Sequence, residues 1–76
     1  MRGRIEIIAD MLNVAVSGAK KTHLVYKANL NFNMIKGYIR LLDEKGYMVE
    51  RDGMFYTTEQ GLRALKHLIG ATTLVS

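Results

Sequence analysis

The chain is short and basic: 76 residues carry 11 lysines and arginines against 7 aspartates and glutamates, a net charge of +4. A chain of this length forms one small domain with a marginal core, which association with a second copy would help to stabilise. It has no cysteine, which excludes disulfides and thiolate metal sites, and no apolar run long enough for a signal peptide or a membrane span. We therefore expect a soluble, cytoplasmic protein that does not enter membranes.

The first predicted helix runs from Arg4 to Ser17 and is apolar over most of its surface. Its polar residues repeat at helical spacing and form one narrow stripe: Glu6, Asp10, Asn13 and Ser17. We assign its core-facing side to Ile5, Ile8, Leu12 and Ala15. This assignment leaves Ile7, Met11 and Val14 on a flank that a small monomer would struggle to bury. The flank is either a dimer interface or a surface covered by the last helix of the same chain.

A second, short helix is predicted from Lys20-Lys21-Thr22 to Ala28. Lysines at a helix start oppose the helix dipole, so they are either solvated in a loop or placed to hold an anion such as a phosphate. Asn29 makes the turn into a third helix, from Asn31 as the N-cap to Gly46 as the C-cap glycine. A short helix, a tight turn and a longer helix are the spacing of a helix-turn-helix.

The third helix separates an apolar face from a polar one. Its inward positions are Leu30, Ile35, Ile39 and Leu42. Its outward face carries amide and cationic groups that suit base edges and phosphates: Asn31, Asn33, Lys36, Gly37 and Arg40. No acidic residue occurs between Asp10 and Asp43, so this helix is the centre of a positive field. Such a field indicates a polyanionic partner, or it is ordinary solubility charge.

Two short extended segments, 47–51 and 54–57, flank the pair Asp52-Gly53, which favours the positive φ angles of a hairpin turn. This turn places Arg51 opposite Met54. A hairpin directly after a helix-turn-helix is the wing of a winged-helix domain, and Arg51 is the one cation at its tip. The wing either contacts the DNA backbone or is purely structural.

The last helix is predicted to begin after Thr58, a good N-cap, and to end near Ile69, where Gly70 stops it. Its apolar stripe is Leu62, Leu65, Leu68 and Ile69. The chain is thus predicted to be a single domain over residues 1–76, with a core at 4–69 and a short tail at 70–76. The predicted fold class is mainly α with a small β-hairpin, in the order helix, helix, helix, hairpin, helix.

Catalytic and metal-binding patterns are missing from the sequence. His23 and His67 lie on different helices without metal-ligand spacing, and the neighbouring carboxylates Asp43 and Glu44 point in different directions on a helix. No phosphate-cradling glycine loop and no nucleophile elbow occurs. We therefore predict no enzyme activity, no cofactor and no metal.

Several segments resemble one known family: RIEIIADMLNVAVSG, KKTHLVYKANLNF, YIRLLDEKGYM, and the pattern F-x-x-T-x-x-G at Phe55, Thr58 and Gly61. Over residues 4–68 the chain closely resembles the small basic archaeal winged-helix proteins of the ten-kilodalton chromatin-associated type and related archaeal transcriptional regulators. The most specific part is the string Lys21-Thr22 through Tyr26, Ala28, Asn29 and Leu30. The resemblance implies binding of double-stranded DNA by a homodimer. The chromatin-type members continue into a long charged helix that forms an antiparallel coiled coil, whereas here that helix is predicted to stop at Gly70.

These observations predict a nucleoid-associated winged-helix DNA-binding protein, a transcriptional regulator whose third helix enters the major groove. The residues placed nearest the bases are Asn33, Lys36, Gly37 and Arg40, and Asn31 at the start of the helix is a further DNA-binding candidate. Those placed on the DNA backbone are Lys20, Lys21, Tyr38 and Arg51. The predicted homodimer interface consists of Ile7, Met11, Val14, Leu65, Leu68 and Ile69. The alternatives are a sequence-neutral chromatin protein and a protein-interaction winged helix that uses the surplus apolar flank without binding DNA.

Overall fold

The computed structural model describes the backbone of residues 3–73 and the side chains of residues 3–68. Four helices and one antiparallel hairpin follow one another in the predicted order. They are α1 (Arg4–Val14), which continues into a 3₁₀ turn (Ala15–Ser17), α2 (Lys21–Ala28), α3 (Phe32–Glu44), β1 (Met48–Arg51), β2 (Met54–Thr57) and α4 (Glu59–Thr73). The mainly helical fold class with a small hairpin is confirmed.

The turn between α2 and α3 is built by two asparagines. Asn29 adopts the left-handed conformation, with φ of 57°, which ends α2 and reverses the chain. The Asn31 side chain then caps α3, because its Oδ1 accepts a hydrogen bond of 2.8 Å from the backbone N–H of Met34. At the other end of α3, Gly46 has φ of +75° just after the helix. The predicted N-cap Asn31 is confirmed, whereas the C-cap is Lys45, one residue before the predicted Gly46.

The hairpin has the predicted register, with Arg51 opposite Met54. Its turn residues Asp52 and Gly53 have φ of 53° and 80°, as a two-residue turn of this type requires. One further pairing was not predicted. The N–H of Ala19 donates to the Phe55 carbonyl (2.9 Å), and the N–H of Phe55 donates to the Ala19 carbonyl (2.7 Å). This bridge fastens the hairpin to the loop before α2.

The pattern Phe55, Thr58 and Gly61 has a structural explanation. Phe55 is in the core, and the Thr58 hydroxyl accepts a hydrogen bond from the N–H of Gly61 (3.0 Å) while donating one to the Gly46 carbonyl (2.6 Å). Gly61 lies so close to the Tyr47 carbonyl oxygen that a β-carbon there would overlap it. The motif therefore joins the start of α4 to the end of α3 and the entrance of the hairpin.

The core agrees with the predicted orientation of α1 at Leu12 and Ala15, which are fully buried, and contradicts it at Ile5, Ile7 and Met11. Met11 is fully buried and Ile7 nearly so, whereas Ile5, predicted to face inward, is 56% exposed. Leu65 of α4 is also buried, and Val14 packs against the same cluster. The reason is that α1 packs against both α2 and α4, so a wide face of it is covered. Of the two alternatives for the flank of Ile7, Met11 and Val14, the structure favours coverage within the same chain, because α1 packs against α4 and these side chains contact the core. Their use as a dimer interface is wrong.

The predicted end of α4 is also wrong. The helix continues through Gly70 to Thr73, as a glycine lowers helix propensity by about 1 kcal/mol relative to alanine without forbidding the helix. Of the remaining predicted interface residues, Leu68 is half-buried, and the side chain of Ile69 and the tail at 74–76 lie outside the described residues. Within residues 3–73, no helix combines the length and apolar character needed to cross a bilayer.

Candidate nucleic-acid interface

The outward face of α3 brings together most of the predicted base-facing residues. The side chains of Asn33, Lys36 and Arg40 are exposed, while Ile35 and Leu42 on the opposite face are buried. Gly37 lies among the exposed residues, and a β-carbon at its position would meet no atom within 4 Å. The helix is thus anchored by its apolar side and presents amide and cationic groups to solvent.

Asn31, the further DNA-binding candidate, is exposed but differs from the predicted base-facing residues. Its Oδ1 accepts the hydrogen bond that caps α3, so the acceptor of this amide is committed to the helix end. A bidentate pairing with adenine needs the donor and the acceptor of the same amide. Asn33 is the second residue of α3, and its side chain does not form the helix cap.

Lysines at the start of α2 extend the positive surface. Lys20 is exposed at the N-cap position of α2, and Lys21 is half-buried and lines a cleft of about 310 Å³ between α3 and the wing. The lining of this cleft is Lys21, Lys36, Ile39, Arg40, Asp43, Met48, Val49, Glu50 and Phe55. Its cations come from α2 and the middle of α3, and its carboxylates from the last turn of α3 and from β1.

The cations of α3 are available to a partner. Within residues 3–68, neither Lys36 nor Arg40 forms an ion pair, whereas Arg63 of α4 pairs with Glu59 at 2.9 Å. A cation that is already neutralised by a carboxylate of its own chain has less to offer a phosphate. The positive charge of α3 is not compensated in this way.

Tyr38 and Arg51 occupy different environments. Tyr38 is half-buried and packs against the core on the side of α3 that faces α1, in a second cleft shared with Arg4 and Met34. Its ring therefore helps to hold α3 in place. Arg51 is exposed beside the turn of the wing, between Glu50 and Asp52, which are exposed as well. Arg51 can reach outward, but neighbouring carboxylates balance its charge.

Sequence reasoning missed the exposed apolar side chains near the helix-turn-helix. Phe32 is 50% exposed and Met34 is 46% exposed, both in the first turn of α3, and Tyr26 of α2 is 80% exposed. Phe32 lies one turn before Lys36 on the helix surface. Hydrophobicity alone would place an aromatic residue here in the core, so its exposure is visible only in the folded structure.

The comparisons with known proteins agree with this architecture. A family model for the winged helix-turn-helix matches residues 1–74 of the chain. The crystal structure of Sso10a-2, a DNA-binding protein from Sulfolobus solfataricus, is similar with a TM-score of 0.82 and 22% identity, and the match covers 96% of this chain and 81% of that one. No curated protein matches. The predicted resemblance to archaeal winged-helix DNA-binding proteins is confirmed, and the chain belongs to the winged helix-turn-helix family.

Proposed function

We propose that this protein binds double-stranded DNA by inserting α3 into the major groove, and that it acts as a transcriptional regulator rather than as an enzyme. The observation that carries the proposal is the outward face of α3, where Asn33, Lys36 and Arg40 are exposed on a helix anchored by buried apolar residues. A helix is the element that fits the major groove. Cations and amides on it bind phosphates and base edges.

In this docking the first turns of α3 lie nearest the bases. Gly37 has open space around it, so the backbone of α3 can approach the floor of the groove closely. Lys20 and Lys21 at the start of α2 lie against the phosphates, and Arg51 at the wing tip contacts the neighbouring backbone. Residence on DNA would make the protein nucleoid-associated within the cytoplasm.

A regulator is favoured over a sequence-neutral chromatin protein by the chemistry of this face. Asn33 and Arg40 have the planar, multidentate groups that discriminate adenine and guanine edges, which a purely phosphate-binding surface does not need. The alternative of a protein-interaction winged helix relied on a surplus apolar flank. That flank is absent, because Ile7 and Met11 are buried in the core of the single chain.

We also propose that the protein is a homodimer, through the outer surface of α1 and α4 instead of the flank predicted from sequence. This surface contains a cleft of about 480 Å³ lined by Ile8, Tyr47, Gln60, Arg63, Ala64, His67 and Leu68. Half-buried Ile8 and Leu68 supply apolar area there. A twofold pair of α3 helices about 34 Å apart would match two half-sites of a palindrome on one side of B-DNA.

The test is the salt dependence of binding to labelled duplexes, measured by fluorescence anisotropy for the wild type and three variants. Lys36→Ala and Arg40→Ala should weaken binding, and each lost phosphate contact should reduce the slope of log K against log salt by about 0.9. Lys66→Ala removes the same charge from an exposed position on α4 and should leave binding nearly unchanged. Equal effects of all three variants would mean that net charge, and not α3, governs binding.

Duplexes selected from a random pool, compared with random duplexes, separate the regulator from the chromatin protein. A regulator should bind its selected site at least about a thousandfold more tightly than random sequence at physiological salt. Equal affinity for the two would contradict the regulatory role and favour sequence-neutral binding.

A further inference from the structure

The first turn of α3 exposes an aromatic ring that the core does not need. Phe32 is 50% exposed, while the inward positions of the same helix are filled by Ile35 and Leu42, which are completely or almost completely buried. Exposing an aromatic ring forgoes the stabilisation that its burial would give. The exposed ring therefore suggests a contact with a binding partner, and its surroundings indicate the chemistry of that partner.

The surroundings of Phe32 indicate the nature of that partner. Lys36 lies one helical turn further on the same side of α3 and lines the cleft to which Lys21 and Arg40 also contribute. A cationic setting of this kind fits a polyanion and disfavours a purely apolar protein partner. An apolar side chain in such a surface gains nothing from a phosphate, so the group of the nucleic acid that it contacts should be apolar as well.

The major groove of DNA offers one such group. Among the four ordinary bases only thymine presents a methyl group there, at C5, and an apolar side chain such as phenylalanine can contact it. The start of a recognition helix is the part closest to the base edges. Phe32 is the first residue of α3 and follows the cap residue Asn31 directly.

We propose that Phe32 is a specificity-determining residue that recognises the 5-methyl group of thymine in the major groove. This inference rests on the proposed insertion of α3 into DNA and adds to it the base that the first turn selects. Met34 is the other apolar side chain exposed in this turn, at 46%, and it lines a cleft together with Gly37 and Arg40. It therefore serves as the control residue in the test.

Replacement of thymine by deoxyuracil tests the proposal, since it removes the methyl group and leaves every hydrogen-bonding atom in place. Duplexes selected by the wild type are resynthesised with single thymine-to-deoxyuracil changes, and their affinities are compared. Wild-type binding should weaken about fourfold at one or two positions of each half-site, the value of burying one methyl group. Phe32→Ala should bind thymine and deoxyuracil duplexes equally.

Two further variants make the result specific. Met34→Ala removes a comparable exposed apolar side chain from the same turn and should keep the fourfold difference. Phe32→Gln, in which a polar residue of good helix propensity replaces the ring, should behave as Phe32→Ala does, and circular dichroism checks that both are folded.

The possible outcomes separate this inference from the proposed function. If the wild type does not distinguish thymine from deoxyuracil at any position, while a Lys36→Ala/Arg40→Ala double variant binds more weakly than the wild type, the role of Phe32 is wrong and the DNA-binding face stands. If Phe32→Ala retains the wild-type difference, the methyl group is read by another residue and the inference is overturned. If the double variant binds as the wild type does, the proposed docking and this inference fail together.

Discussion

Gly61→Ala should destabilise the fold although it places a better helix former in a helix. In an open helix the change would stabilise by about 1 kcal/mol. Here the new β-carbon would overlap the Tyr47 carbonyl oxygen and lie 2.7 Å from Thr57 Cγ2. To remove this overlap, the start of α4 must move away from Tyr47. The same movement stretches the hydrogen bond of 2.9 Å from the Thr58 N–H to the Tyr47 carbonyl.

The magnitude follows from these opposing effects. Overpacking costs about 1–3 kcal/mol, and a lost hydrogen bond about 0.5–1.5 kcal/mol. After the gain in helix propensity, a net loss of about 0.5–3.5 kcal/mol remains. Because 1 kcal/mol corresponds to about 4–8 °C in a domain of this size, thermal unfolding followed by circular dichroism should show a Tm at least about 2 °C below that of the wild type.

Gly37→Ala is the matched control. It makes the same replacement inside α3, where a β-carbon would meet nothing within 4 Å, so its Tm should rise by a few degrees. The reasoning would be refuted if Gly61→Ala proved as stable as Gly37→Ala. That result would show that the close approach of α4 to Tyr47 does not exist in the folded protein.

The remaining predictions concern the core, the cap, the DNA-binding face and the dimer. Met11→Ala should lower the free energy of unfolding, measured in urea, by about 2–5 kcal/mol. Ile5→Ala should change it by less than about 0.5 kcal/mol. Equal effects of the two variants would support the orientation of α1 predicted from sequence. Thr58→Ala should cost about 0.5–2 kcal/mol in the same assay through loss of the cap, and Thr58→Ser should recover most of it. Gly37→Ala should weaken DNA binding in anisotropy titrations while it stabilises the fold, and unchanged affinity would mean that α3 does not approach the groove closely there. Leu68→Glu should convert a dimer to a folded monomer in sedimentation at micromolar concentration, and a wild-type monomer would contradict the proposed assembly.

Local chemistry made the helix-turn-helix and the hairpin predictable. Asn31 and Thr58 are cap residues that act on their own helices, and Asp52-Gly53 sets the hairpin register through its positive φ angles. Each of these signals lies within a few residues of the feature that it determines. The polar face of α3 was predictable for the same reason, because amides, cations and apolar residues alternate at helical spacing.

Features that depend on distant contacts were not predictable. Helix α1 is apolar on both sides of a narrow polar stripe, so its periodicity does not distinguish Ile5 from Met11. Packing against α2 and α4 determines that Met11 is buried and Ile5 is exposed. The bridge between Ala19 and Phe55 joins residues far apart in the chain and has no local signature. The exposure of Phe32 likewise depends on whether another part of the chain packs over it, which its local sequence does not indicate.

The central claim is that the outward face of α3 is the surface that contacts DNA, and backbone amide chemical shifts test it most directly. A ¹⁵N-labelled sample is titrated with a selected duplex, and the shift changes are assigned along the chain. The largest changes should fall at residues 31–40, with further changes at Lys20 and Lys21 and smaller ones at the wing tip, while the exposed residues of α4 stay nearly constant. Changes concentrated on α1 and α4, with residues 31–40 unaffected, would contradict the claim.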